Sequence, residues 1–329
     1  MYEFDVYALG NALVDREYHI DESLLTEVGL DKGRMSLIDA ERRHQLLALL
    51  EARYPCLQQA CGGSAANSIV AVAALGGRPF YACRVADDTL GDFYHRDLRA
   101  AGVAYRRLEQ GVSGHTGTCL VLVTDDAERT MATHLGATAD FAASDLDEAH
   151  LITSRWLYIE GYLASSTSAR AAVARARDLA QAHDIPVALT FSDPAMTLHF
   201  RPALREMIGA GVDLLFCNEE EACLFSGASS LEGALPFLLA LARRVVVTRG
   251  AQGALIVGGG SRLNIPAPRV QAIDSNGAGD AFAGAFLYGI THDFDPERAG
   301  QLAARVAAQV VSRYGPRLPL SDYAALLTP

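Results

Sequence analysis

The sequence predicts an α/β fold, with a mostly parallel central sheet covered by helices on both faces and a small extra β-sheet beside it. Three observations predict it. Short runs rich in Val, Leu, Ile or aromatic residues alternate with helical patterns along most of the 329 residues. The centres of runs such as "VDLLF" and "RVVVT" are continuously apolar, as strands buried on both faces must be. Two segments fall outside the alternation and carry strand-like patterns of their own.

The first strand is read in "FDVYALG", whose apolar residues run into Gly10. Further strands are read in "RPFYACRV", "RWLYIEG", "IPVALTF", "VDLLFCN" and "RRVVVTRG". Helices are expected in "AERRHQLLALLEARY", "SAANSIVAVAALGG", "TSARAAVARARDLAQAH" and "LEGALPFLLALARR". The first exceptional segment is "HIDESLLTEVGLDKGRMSLID", where Met35 and Leu37 alternate about Ser36. The second, "HTGTCLVLVTDDAERTMATHLG", reads as two strands joined at a turn over Asp125, Asp126, Ala127 and Glu128. Together they predict a small sheet projecting from one domain, with no repeat, low-complexity tract or linker.

Composition narrows the function. Half of the residues are hydrophobic and a fifth are charged, which supplies a globular core. A formal net charge of −11 argues against a nucleic-acid partner and against anionic membranes. The six cysteines form no C-x-x-C pair and there is no H-E-x-x-H, so neither a disulfide scaffold nor structural zinc is expected. The opening "MYEFDVYALGNALVD" is not a signal peptide, and no apolar run is long enough to span a bilayer. A reduced, cytoplasmic protein is the expectation. Lys32 is the only lysine, which excludes a G-x-x-x-x-G-K-[ST] phosphate loop. No G-x-G-x-x-G follows the first strand, which argues against a dehydrogenase. "HRDL" at His95 copies the start of a protein-kinase loop, but the required Asn and D-F-G are missing. His115 and His134 show no metal-ligand spacing.

In an open parallel sheet, ligands bind beyond the carboxyl ends of the strands. The residues there are Asn11 and Asp15, Glu160 and Gly161, Ser192 and Asp193, Asn218 and Glu221, and Thr248 and Gly250. Such an acid-rich rim suits hydroxyl groups, a metal, or both. In "DSNGAGDAFAGAF", Gly277 and Gly279 permit close approach of a ligand to the backbone at a helix mouth. Asp280 in that first turn is either a favourable N-terminal acid or a base beside a bound anion. "CGGSAANSIV" is a second glycine-led helix entrance, and polar Asn67 on its apolar helix calls for a ligand or a buried hydrogen bond. In "FCNEEEACLFSG", Asn218 is an N-cap or a ligand group, with Glu221 three residues on. Gly250 and Gly253 after Thr248 suit a hairpin or a nucleotide site.

The set "GGSAANS", "NEEE", "VVVTRGAQG" and "DSNGAGDAFAGAF", in this order, resembles the ribokinase-like (PfkB) family of sugar and nucleoside kinases over Ala8 to Leu318. The resemblance implies a three-layer α/β/α sandwich, residues 1–329 forming a single kinase domain with a lid built from about 15–38 and 113–136. "GNALVD", "GRMSLID" and "GTCLVLVTDDAERTMATHLG" look most like adenosine kinases. By resemblance, Asp280 is the catalytic base, and Gly277, Ala278 and Gly279 form an amide anion hole. Asp15, Gly63 and Asn67 match positions that bind sugar hydroxyls. Asn218 and Glu221 match an N-x-x-E motif placing Mg²⁺, through water, and the phosphates of ATP. Thr248, Gly250 and Gly253 match nucleotide-site positions, and Asp274, Ser275 and Gly315 a monovalent-cation (K⁺) site. Arg129 is either a charge-stabilising group for the phosphates or a solvated hairpin charge. A carboxylate at Asp15 suits a vicinal diol, and Met35 and Leu37 on one face suit a purine, which favours a nucleoside over a sugar such as ribose or fructose. A non-catalytic nucleotide-binding protein is the more distant reading. The family implies a monomer or homodimer.

Overall fold

The structure is a computed structural model that describes residues 2–108, 111–126 and 128–327. Ala127, in the expected turn, lies outside the described residues. In chain order the strands are β1 (Val6–Leu9), β2 (Leu13–His19), β3 (Met35–Leu37), β4 (Cys56–Gly62), β5 (Pro79–Ala82), β6 (Ala104–Tyr105) and β7 (Gly117–Val123). They continue as β8 (Arg129–His134), β9 (Leu157–Ile159), β10 (Val187–Thr190), β11 (Val212–Asn218), β12 (Ala242–Thr248), β13 (Ala254–Gly258) and β14 (Ser261–Ile265).

Nine strands form the main sheet in the order β14-β13-β12-β11-β10-β9-β1-β5-β6. All pairings from β12 to β6 are parallel, and β13 and β14 extend the sheet as antiparallel strands. Side-chain alternation sends Val6 and Ala8 to one core and Tyr7 and Leu9 to the other. The first core includes apolar residues of helices Ser64–Ala74, Ala278–Thr291 and Pro296–Val311. The second includes those of Thr167–Ala182 and Leu231–Leu239. Sheet and two helix layers give the three-layer α/β/α sandwich, and the strands read from the sequence as β1, β5, β9, β10, β11 and β12 are all present.

The small sheet has five strands in the order β3-β8-β7-β2-β4. It takes a third segment that the expected 15–38 and 113–136 leave out, the edge strand β4. Cys56 to Gln59 in that strand are exposed, so no alternation marks it in the sequence. One face of this sheet packs Tyr18, Leu120, Leu122 and Ala132 against helices Glu22–Glu27 and Ala40–Arg53. The opposite face turns Cys119, Val121 and Met131 toward the ends of the main-sheet strands.

Chain order reverses around β1, because β5 and β6 lie on one side of it and β9 to β12 on the other. A crevice opens where strands diverge this way. Helices Ser64–Ala74 and Ala278–Thr291 both begin there and cross closely. Gly284 sits directly against the Ser68 carbonyl, and a Cβ at Gly284 would overlap that oxygen and crowd Ala71. Gly284→Val therefore costs about 1–3 kcal/mol through overpacking, read as a fall in melting temperature. Gly279→Ala, where a Cβ meets nothing within 4 Å, leaves the melting temperature in place.

Candidate active site

A cavity of about 370 Å³ lies between the carboxyl ends of the parallel strands and the inner face of the small sheet. Asp15, Asn67, Glu160, Asn218, Glu221 and Asp280 give it polar walls. Leu13, Met35, Leu37, Val121, Met131 and Leu135 give it an apolar wall on the side of the small sheet. Among the described residues no lysine or arginine lines it.

Asp280 occupies the first turn of helix Ala278–Thr291. It does not cap that helix. Its Oδ1 accepts a hydrogen bond from Ser64 Oγ at 2.6 Å, and its Oδ2 accepts one from Asn67 Nδ2 at 2.9 Å. The carboxylate therefore joins the two helix mouths. Burial raises its pKa, while the bonds from Ser64 and Asn67 and the charge of Arg317 act in the opposite sense. Gly277 precedes it with φ at 73°, and a Cβ there would overlap Pro316, so both conformation and contact require glycine. Among the described residues the amides of Gly277, Gly279 and Asp280 have no protein acceptor. The Ala278 amide instead turns back to the Ser275 carbonyl at 3.3 Å. The next two amides along the turn, those of Gly279 and Asp280, are the ones left without an acceptor among the described residues.

Glu160, 0% exposed, closes the crevice at the strand reversal. It accepts hydrogen bonds from the Asn11 amide at 3.2 Å and the Ala65 amide at 2.7 Å. Burial pushes its carboxyl up to about 8 despite those bonds. Asp15 on β2 is half-buried, and burial pushes it up to about 7 against the charges of Arg317 and Arg129. It accepts no hydrogen bond from the described residues, so its lone pairs are open to a ligand. Gly62 and Gly63 lie beside it; a Cβ at Gly62 would overlap the Asp15 carboxylate, and Gly63 has φ at 103°.

The N-x-x-E pair is a reciprocal capping box. The Asn218 side chain accepts from the Glu221 amide at 2.8 Å, and Glu221 accepts from the Asn218 amide and side chain at 2.9 and 3.0 Å. Glu221 is only 4% exposed, and burial pushes it up to about 8. Its oxygens keep further lone pairs toward the cavity, which fits a hydrated divalent cation better than direct ligation. Among the described residues no cluster of three or more His, Cys, Asp or Glu could hold a metal ion.

Thr248 lines the cavity, but Gly250 and Gly253 do not. Gly253, with φ at 82° and a Cβ position overlapping the Ile265 carbonyl, is fixed by the strand turn it makes. Arg129, 13% exposed at its side chain, neither lines the cavity nor lies in solvent: it pairs with Asp274 at 2.7 Å and with Glu17 at 3.4 Å. That pairing also bears on the expected monovalent cation. Asp274 Oδ2 already accepts from Arg129 and from the Gly315 amide at 2.9 Å, and Oδ1 accepts from the Asn276 amide at 3.0 Å. A guanidinium thus already balances the charge of this carboxylate. Both ends of the Asn67 amide are engaged, one by Asp280 and the other by Arg317 Nε at 2.8 Å. Arg317 and Ser64 escaped the sequence reading. Ser64 was visible as the first residue of a glycine-led helix, whereas no pattern around "YGPRLP" marks Arg317.

Residues 33–322 match the family described as pfkB family carbohydrate kinase. The crystal structure of an adenosine kinase from Sinorhizobium meliloti is similar with a TM-score of 0.90 and 35% identity, covering 98% of both chains. That of a probable sugar kinase protein from Rhizobium etli CFN 42 has a TM-score of 0.90 and 34% identity, covering 99% of this chain and 98% of its own. The adenosine kinase of Saccharomyces cerevisiae is 28% identical over 94% of this chain and 96% of its own length.

The buried acids set a pH dependence. Unfolded carboxylates titrate near 4, at about 3.9–4.3, whereas Asp15 is pushed to about 7 and Glu160 and Glu221 to about 8 in the fold. Between those values the folded state holds protons that the unfolded chain has released, so stability falls as pH rises. The melting temperature of the ligand-free protein declines from about pH 4 to about pH 8. Glu160→Gln flattens the decline and lowers the whole curve, because an amide oxygen accepts from only one of the two sites. Thermal melts across that range check both; a rising curve would contradict the assignment.

Proposed function

The chain belongs to the pfkB family of carbohydrate kinases, and on that premise we propose that it phosphorylates the primary hydroxyl of an adenosine-like nucleoside, giving the 5′-phosphate. It is a phosphotransferase with an alcohol group as acceptor. The observation that carries the substrate reading is that Asp15, a carboxylate with open lone pairs, lines the same cavity as an apolar wall that includes Met35 and Leu37. A carboxylate can accept two hydrogen bonds from a vicinal diol. A purine has flat apolar faces for the wall, and a free hexose has none. The likeness to an adenosine kinase supports the same reading, and the likeness to a probable sugar kinase makes a sugar the alternative acceptor.

In the proposed reaction the acceptor oxygen attacks the γ-phosphorus of ATP. The bond from that phosphorus to the bridging oxygen breaks, ADP leaves, and the hydroxyl proton passes to Asp280. General-base help of this kind is worth about 10²–10⁴-fold. The free amides of Gly277, Gly279 and Asp280 face the transferring group, and donors of this kind contribute about 3–4 kcal/mol each in the strongest cases. Ala278 shapes the turn, its amide donating to the Ser275 carbonyl and not to the phosphate. Gly63 permits the close approach of the acceptor, and Asn67 holds the base. Asn218, Glu221 and Thr248 border the nucleotide phosphates. Glu221 fits Mg²⁺ through water, and when bound the metal supplies positive charge to the phosphates that no side chain of the cavity wall provides. The small sheet acts as a lid over the acceptor. The enzyme works as a soluble, cytoplasmic monomer or homodimer.

Asp280→Asn retains ATP binding, measured by calorimetry, and loses nearly all turnover. Near-parental activity in that variant would end the general-base reading, and an inactive parent would favour a non-catalytic nucleotide-binding protein. In a panel of adenosine, inosine, ribose and fructose with Mg-ATP, adenosine has the highest kcat/KM. Phosphorylation of fructose but not adenosine would transfer the assignment to a sugar kinase.

A further inference from the structure

Arg317 lies in the loop after helix Pro296–Val311, and its side chain is 15% exposed. Its guanidinium makes two directional contacts with different partners. Nη1 pairs with Asp97 at 2.8 Å, and Nε donates to Asn67 Oδ1 at 2.8 Å. The second contact fixes which way the Asn67 amide faces. With Oδ1 held by a donor, Nδ2 is left to point at Asp280, where it donates at 2.9 Å. The third nitrogen, Nη2, is buried with no partner among the described residues. The same loop packs Pro316 against Gly277 and sends the Gly315 amide to Asp274. Three consecutive residues thus meet the glycine turn, its preceding acid and the residue that holds Asp280.

We propose that Arg317 is a positioning residue for Asp280, acting through Asn67, with Asp97 as its anchor. This rests on the reading of Asp280 as the base. Asp15 on β2, Tyr158 and Glu160 of and after β9, Tyr162, and Glu221 all face Asp280 electrostatically. Arg317 is the cation that offsets this set: it favours the ionised form of Asp280, and of Asp15 more than any other cation does. An arginine fork meets Asp97 and Asn67 from two nitrogens held in one rigid plane, a geometry that the single nitrogen of an ammonium does not reproduce. Charge and geometry are therefore separable by substitution.

Arg317→Lys keeps the charge and loses the fork. Its kcat falls about tenfold to a hundredfold, with the KM for ATP unchanged and the acid limb of the pH–rate profile where the parent has it. Arg317→Gln loses both, and its acid limb moves up by about one pH unit. Circular dichroism establishes that each variant is folded. A parental kcat in Arg317→Lys overturns the positioning role, as does an unmoved acid limb in folded Arg317→Gln. Where the Gln variant does not fold, the Lys variant alone decides. Active Asp280→Asn would instead show that the base assignment failed. Inactive Asp280→Asn beside parental Arg317 variants would remove only the present inference.

Discussion

The shared carboxylate of Asp280 is the contact on which the site depends. It belongs to one helix and is held by Ser64 and Asn67 of another. Residues 213 and 216 positions apart in sequence can meet this way only if the two helix mouths are fixed against each other. The Gly284–Ser68 contact does that about one turn deeper, where a missing Cβ lets the backbones approach. Small residues along both helices, Ala65, Ala66, Ala281, Ala283 and Ala285 among them, carry the same close packing through the core. Helix packing and acid placement are therefore one constraint.

Charge imposes the second constraint. Asp15, Glu160, Glu221 and Asp280 converge on a cavity whose family brings a polyanionic nucleotide to it. Coulomb repulsion between these groups and phosphates is strong in a low-dielectric crevice. The fold answers by layering. Backbone amides, which carry partial positive charge without needing a counter-ion, face the cavity at Gly277 and Gly279. Whole cations stand behind the acids: Arg317 behind Asn67, and Arg129 against Asp274. Arg129 also links β8 of the small sheet to the turn that carries the amides, through Asp274. A lysine-poor chain with abundant arginine suits this, because planar guanidinium groups can serve two acceptors from behind a wall.

Much of the fold was legible because burial leaves a pattern. Strands buried on both faces carry continuous apolar runs at their centres, as β1, β9, β10, β11 and β12 do. β4 was illegible because its exposed edge relaxes the alternation that would mark it. In the candidate site, glycine turns were legible since backbone conformation limits residue choice, which singled out Gly63, Gly277 and Asp280. Local motifs could not show which partner a side chain takes. Asn67 reads as an acceptor-binding residue until Arg317, 250 positions away, claims its oxygen. Arg129 reads as a phosphate ligand or a solvated charge until Asp274 claims its guanidinium. Long-range ion pairs leave no periodic trace, so both remained open at the level of sequence.

The same distinction explains the N-x-x-E segment. A capping box would stabilise its helix whether or not a ligand binds, by satisfying amides that the helix leaves free. Yet ordinary caps lie in solvent, and Glu221 is buried beside other acids, where a free carboxylate is costly and its pKa rises. A helix that needed only a cap would be better served by an exposed glutamate. Burial of this one makes its ionisation depend on positive charge arriving at the cavity. On the proposed function, a hydrated divalent cation carried by the nucleotide would supply such charge, and the cap would hold the carboxylate at a fixed place to meet it. On that reading the local structure and the ligand chemistry select the same two residues for different reasons, which is why the motif alone reads ambiguously.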